Sequence, residues 1–179
     1  YSSNFDLAIY LIFILLNYNQ IMSIGITGTG SYIPSLVTKN SDFEEHDFLN
    51  TDGTAFKQKN DIIIHKFKSI TGISERRYAK SELNTSQLAF FASEKAISDA
   101  NIDKEEIDYI IVAHNFGDVT YGKCQGDTLP SLATRVKQQL QIKNPKCVAY
   151  DLLFGCPGWI EGVIQANAFI KSGIAKKCL

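Results

Sequence analysis

The stretch Tyr150–Gly173, YDLLFGCPGWIEGVIQANAFIKSG, decides how the chain is read. It reads as the end of a buried strand, a tight turn carrying Cys156, and a long helix opening at the cysteine. Cys147-Val148-Ala149-Tyr150 is apolar and β-prone, as a strand covered on both faces requires. Gly155 and Gly158 flank the turn and permit close backbone approach. Pro157 suits a first helical turn, where its missing N–H costs nothing. The helix is expected to run to Ser172, with Gly173 as its stop. From Trp159 to Ile170 its apolar residues point all round the axis, and only Glu161 and Lys171 are charged. Such a helix is expected to be buried in a layered domain.

A cysteine at the start of a helix is chemically distinctive. Unpaired N–H groups and the helix dipole favour the thiolate, lowering its pKa below the reference of about 8.5. The same N–H groups can hold an oxyanion while an acyl group passes to sulfur. The other reading is a small buried hydrophobe, the role of most free cysteines.

Three segments carry a resemblance. Asp151-x-x-x-x-Cys156-x-Gly158, followed by Trp159-Ile160, resembles the nucleophile motif of β-ketoacyl-ACP synthase III, a thiolase-fold condensing enzyme. Gly28-Thr29-Gly30-Ser31-Tyr32-Ile33-Pro34 is similar to that family's first strand and turn. Thr71-Gly72-Ile73-Ser74-Glu75-Arg76-Arg77 is similar to its TGI-x-ER motif. The resemblance covers about 23–179 and implies an α/β fold: a thiolase-like αβαβα layered fold, with 22–179 as its N-terminal half. It implies an acyltransferase of fatty acid or polyketide-type biosynthesis. Cys156 would carry the acyl group as a thioester and condense it with malonyl-ACP by decarboxylative Claisen chemistry. A His and an Asn beyond Leu179 would complete the site. The implied partners are acyl carrier protein and acyl-CoA or acyl-ACP, in a homodimer, with no cofactor and no metal. Two alternatives stay open: a thiolase-fold acyltransferase that works without decarboxylation, and a non-catalytic thiolase-fold partner in a heterodimer.

The 179 residues are 45% hydrophobic and 21% charged, at net charge −1, which is an ordinary globular composition. The near-neutral balance gives no electrostatic footprint for nucleic acid. The cysteines at 124, 147, 156 and 178 form no C-x-x-C pair, and no histidine stands at metal-ligand spacing. A reducing cytoplasm fits them best. Leu7–Leu16 is a run of apolar residues too short to span a bilayer, with no basic residue before it. Residues 1–21 are therefore read as upstream sequence ahead of a start at Met22, rather than as a leader.

In chain order, Ile24–Thr29 reads as a first strand. Gly28-x-Gly30 lacks the third glycine of a dinucleotide loop and reads as a turn. Asn40–Leu49 reads as a short acidic helix, and Ile62–Ser69 as a helix capped by Asp61. His65, Lys66 and Lys68 give the second helix a basic edge, either a solvated face or one that meets phosphate. Arg76 and Arg77 are read either as an ion pair and a solvated side chain, or as ligand-binding residues. Gln87–Ala100 follows as an amphipathic helix and Ile107–Ala113 as a strand ending at His114. His114 is set aside as a direct participant, because the family's His and Asn come from its second half. After a long glycine-containing loop, 116–128, Leu129 and Pro130 open a helix whose stripe includes Leu132, Ala133, Val136 and Leu140. Lys176–Leu179 reads as the first residues of a further strand. The alternation argues a largely parallel sheet covered on both faces. Within the resemblance, Lys66, Arg76, Arg77 and Leu129 are the substrate-binding candidates. Lys66 stands where family members primed by acyl-CoA carry a tryptophan that stacks on adenine, so a shift from acyl-CoA toward acyl-ACP is expected.

Overall fold

The structure is a computed structural model that describes residues 24–179. The expectations for 1–21 and for Met22 lie outside the described residues. Those described form two compact units, 34–80 and 24–33 with 81–179.

In the 34–80 unit, β1 (Leu36–Lys39) and β2 (Glu75–Tyr78) pair antiparallel, with Leu36 opposite Tyr78 and Lys39 opposite Glu75. The expected acidic helix over 40–49 is a single 3-10 turn, Asn40–Phe43. The Asn60 amide donates to the carbonyls of Glu44 and His46 at 2.7 and 2.9 Å, taking acceptors that a longer helix would use. α1 (Asn60–Thr71) ends at Gly72, whose φ of 71° is the left-handed conformation of a helix stop. Phe43, His46, Phe48 and Phe67 pack edge to face beneath it.

In the larger unit no strand forms over Ile24–Thr29. The segment instead runs along α2 (Thr85–Ala100), with the Thr29 N–H donating to Asp99 at 2.8 Å. A Cβ on Gly30 would lie 2.1 Å from the Ala92 carbonyl oxygen, so glycine is required by this contact rather than by a phosphate. β3 (Tyr109–His114) is followed by a small hairpin, β4 (Asp118–Val119) with β5 (Gly126–Asp127), inside the expected loop. α3 (Leu132–Gln139) opens three residues later than expected, because Ser131 caps it, accepting from the Thr134 N–H at 3.1 Å. β6 (Val148–Leu153) pairs with β3 in parallel, Tyr109 opposite Val148. α4 (Gly158–Lys171) closes with Gly173 at φ 76°. The Lys176–Leu179 segment pairs in parallel with β3 on its other side, through a Tyr109–Cys178 bridge and an Ile111 N–H donating to Leu179 at 2.8 Å.

The alternation in β3 explains the layers. Ile110 and Val112 face Ala89 and Ala96 of α2 and Leu132, Ala133 and Val136 of α3, in one continuous core. Tyr109 and Ile111 face the other way, onto Ala166, Phe169 and Ile170 of α4 and onto Cys178. Helices thus cover both sides of a parallel sheet, as an α/β reading requires. Two expectations of burial fail. Among the described residues β6 borders only β3, and Val148 and Leu153 are exposed. α4 buries only Gly158, Ala166 and Ile170, while Trp159, Ile160 and Ile164 are 41–53% exposed. The helix packs one stripe on the sheet. Among the described residues, no helix is long and apolar enough to cross a membrane, and no group of side chains could hold a metal ion.

Candidate active site

β3 and β6 run parallel and end together, His114 opposite Leu153. Both chains therefore leave the sheet at one end, where ligands bind in open α/β sheets. β6 continues into an elbow, Phe154–Pro157. The Phe154 N–H donates to the His114 carbonyl at 3.2 Å, and the Gly158 N–H donates to Gly155 at 2.9 Å, closing the turn. Pro157 is the helix cap and Gly158 the first helical residue, so Cys156 stands two residues before α4 rather than opening it. The two flanking glycines differ. A Cβ on Gly158 would meet the Cβ of Ala113 at 3.0 Å, whereas one on Gly155 would meet nothing within 4 Å.

Cys156 is exposed and free. Cys147 and Cys178 are buried, and burial pushes their thiols up, that of Cys178 to about 12. Cys124, in the hairpin loop, is the other exposed thiol. Only Cys156 combines exposure with a strand–helix elbow.

Behind the elbow lies a buried polar cluster. The Asp151 carboxylate receives three donors: the Leu132 N–H at 2.7 Å, the Ala133 N–H at 2.8 Å and His114 Nε2 at 2.9 Å. His114 Nδ1 accepts the Gly117 N–H at 2.9 Å, which leaves the imidazole proton on Nε2, facing Asp151. The side chains are 3% and 11% exposed. A second cluster pins the hairpin. Buried Asp118 accepts from the N–H and hydroxyl of Ser86, each at 2.7 Å, and pairs with Arg135 at 2.7 Å. Arg135 also pairs with Asp127 at 2.9 Å. Burial disfavours its charge, but the two carboxylates outweigh this and raise its pKa.

No family model matches the chain. It is 38% identical over 154 residues to β-ketoacyl-[acyl-carrier-protein] synthase III 1 of Vibrio parahaemolyticus, covering 86% of this chain and 42% of that protein. It is 37% identical over 158 residues to the synthase III of Staphylococcus saprophyticus, covering 88% and 43%. The chain is a homologue of β-ketoacyl-[acyl-carrier-protein] synthase III. It spans less than half the length of these relatives. The solved 3-oxoacyl-[acyl-carrier-protein] synthase III of Aquifex aeolicus aligns with a TM-score of 0.65 at 33% identity, over 85% of this chain and 42% of that one. OleA of Xanthomonas campestris aligns at 0.64 with 20% identity, over 90% and 41%, a likeness of fold alone. The fold is of the thiolase type that these synthases share.

Within this synthase III homologue, the candidate residues are placed as follows. Leu129 is 82% exposed, three residues before the α3 amide held by Asp151, on the segment that joins the hairpin to α3. Lys66, Arg76 and Arg77 belong to the 34–80 unit and Cys156 to the other. Lys66 is exposed on α1. Arg76 donates to Asn40 at 2.6 Å, with its guanidinium 5.4 and 5.2 Å from the Phe43 and Phe67 ring centres. Arg77 pairs with Glu75 at 3.0 Å on the surface. The sequence reading missed the work of Asp151. Its signal was a carboxylate inside the otherwise apolar strand VAYDLL, which must find donors if it is buried.

Proposed function

We propose that the chain is part of a 3-oxoacyl-[acyl-carrier-protein] synthase III-type acyltransferase with Cys156 as its nucleophile. One observation carries the reading: a free, exposed cysteine on a strand–helix elbow, in a chain 38% identical to a synthase III. The Cys156 thiolate attacks the carbonyl of an acyl thioester. The tetrahedral oxyanion collapses, the donor thiol leaves, and acyl-Cys156 remains. Malonyl-ACP then loses CO₂, and its electron pair becomes a thioester enolate. The enolate carbon attacks the acyl carbonyl and expels the Cys156 sulfur, giving a β-ketoacyl-ACP. The His and Asn that stabilise the enolate come from the second half of the fold, since His114 is already bonded on both ring nitrogens. We place the protein in the cytoplasm as a homodimer. Lys66 supplies charge but no stacking face for adenine, so acyl-ACP should be the better donor.

The test is to offer one acyl group on CoA and on carrier protein to the full-length protein, and to map the thioester by mass spectrometry. Acyl on Cys156, lost in Cys156→Ala, and faster from carrier protein, is the expected result. Acyl on another cysteine, or condensation surviving in Cys156→Ala, overturns the assignment. Acyl-enzyme that forms but releases no CO₂ from malonyl-ACP replaces condensation with acyl transfer alone.

A further inference from the structure

We propose that His114 and Asp151 are positioning residues that latch two site-forming segments to the strand leading into Cys156. This rests on the acyl-transfer reading above and goes beyond it in naming the parts that hold the site. The latch has two arms. One runs from His114 Nδ1 to the Gly117 N–H at 2.9 Å, beside Phe116, which is 73% exposed. The other runs from His114 Nε2 through Asp151 to the first two N–H groups of α3, beside Leu129, which is 82% exposed. The His114 carbonyl also holds the Phe154 N–H, two residues before the cysteine.

The chemistry of the cluster is one-directional. All three groups facing Asp151 are donors, so only a carboxylate satisfies them. The group facing His114 Nδ1 is a donor too, so only the neutral imidazole with its proton on Nε2 fits both sides. A lone buried salt bridge would need no such match. Here a single tautomer joins the β3–β4 connection at Gly117 to the α3 N-terminus, while the His114 backbone carbonyl holds the elbow. Phe116 and Leu129 belong to the two segments that the arms hold. Neither His114 nor Asp151 touches the reacting atoms; they act through the segments they hold.

Two variants cut the arms separately. His114→Gln keeps a donor near the Nε2 position and loses the acceptor for Gly117. His114→Asn keeps an acceptor near the Nδ1 position and loses the reach to Asp151. Acylation of Cys156 is followed in the full-length protein, with amide hydrogen exchange at Gly117, Leu132 and Ala133 alongside. A buried hydrogen bond lost on one side corresponds to a change of about three- to tenfold. We expect His114→Gln to raise the donor KM by about that factor, with a smaller fall in kcat and faster exchange at Gly117. We expect His114→Asn to lower kcat more than it raises KM, with faster exchange at Leu132 and Ala133. Iodoacetamide alkylation of Cys156 needs no acyl donor, so it separates the latch from the acyl-transfer reading. If no acyl-enzyme forms even in the unaltered protein, that reading fails. An alkylation rate changed at least threefold in His114→Asn would still support the latch, and an unchanged rate would overturn it. Equal effects of the two variants on KM and kcat, or altered exchange with unaltered acylation, also overturn it, leaving the cluster as packing.

Discussion

The two faces of the β3–β6 sheet are built to different standards. On one, Leu132, Ala133 and Val136 of α3 meet α2 and β3 with no exposed area. On the other, α4 seats a narrow stripe on the sheet and leaves Ile160 and Ile164 more than half exposed. The closed face holds the fold together. The open face carries the elbow, with its nucleophile candidate, and the apolar surface. Packing is thus unequal on the two sides of one pair of strands, and the elbow stands beside the looser one.

The contrast can be broken by substitution. On the closed face Leu132→Ala should cost about 2–5 kcal/mol, because a fully buried side chain leaves a cavity behind. Urea unfolding of the full-length protein measures it, and a cost below about 1 kcal/mol would show a looser core than the structure has. The α4 face has its own reporter in Cys178. An unfolded chain ionises this thiol near its ordinary value of 9.0, and the folded protein only at about 12. Below pH 9 both states hold the proton and the group is neutral in its effect. Between 9 and about 12 the unfolded state loses it first, so stability falls as pH rises through that window. Thermal melts of the native protein and of Cys178→Ala should diverge above pH 9 and agree below it; parallel curves would mean the segment beside β3 is open. The smallest effect belongs to Ile160→Ala, within about 0.5 kcal/mol for an exposed side chain. A cost like that of Leu132→Ala, found by the same urea titration, would show the α4 face to be covered in solution.

The parts legible in the sequence were those with local signals. The α3 stripe and the Gly173 stop follow from periodicity and turn chemistry. The Cys156 elbow was legible in kind but displaced, because Pro157 serves as cap where a first-turn position was expected. Burial of α4 was misjudged because a sequence shows that a helix is apolar, not which elements reach it. The segment 24–29 has strand composition, yet a strand needs a neighbour, and the Ala-rich face of α2 captures it instead. The β1–β2 pair was hidden by its charged ERRY strand, which alternates in no simple way. The latch was out of reach for a different reason: His114 and Asp151 are 37 residues apart, and only the parallel register brings them together.

The unequal glycines of the elbow have a consequence for anyone redesigning it. A side chain at position 158 requires Ala113 and Phe154, whose Cβ atoms would lie 3.0 and 3.3 Å away, to give by a few tenths of an ångström, so varying it disturbs the helix entry. Position 155 faces open space, and its backbone needs no left-handed conformation. A library confined to 155 therefore spends its diversity on the approach to sulfur while the helix entry stays fixed.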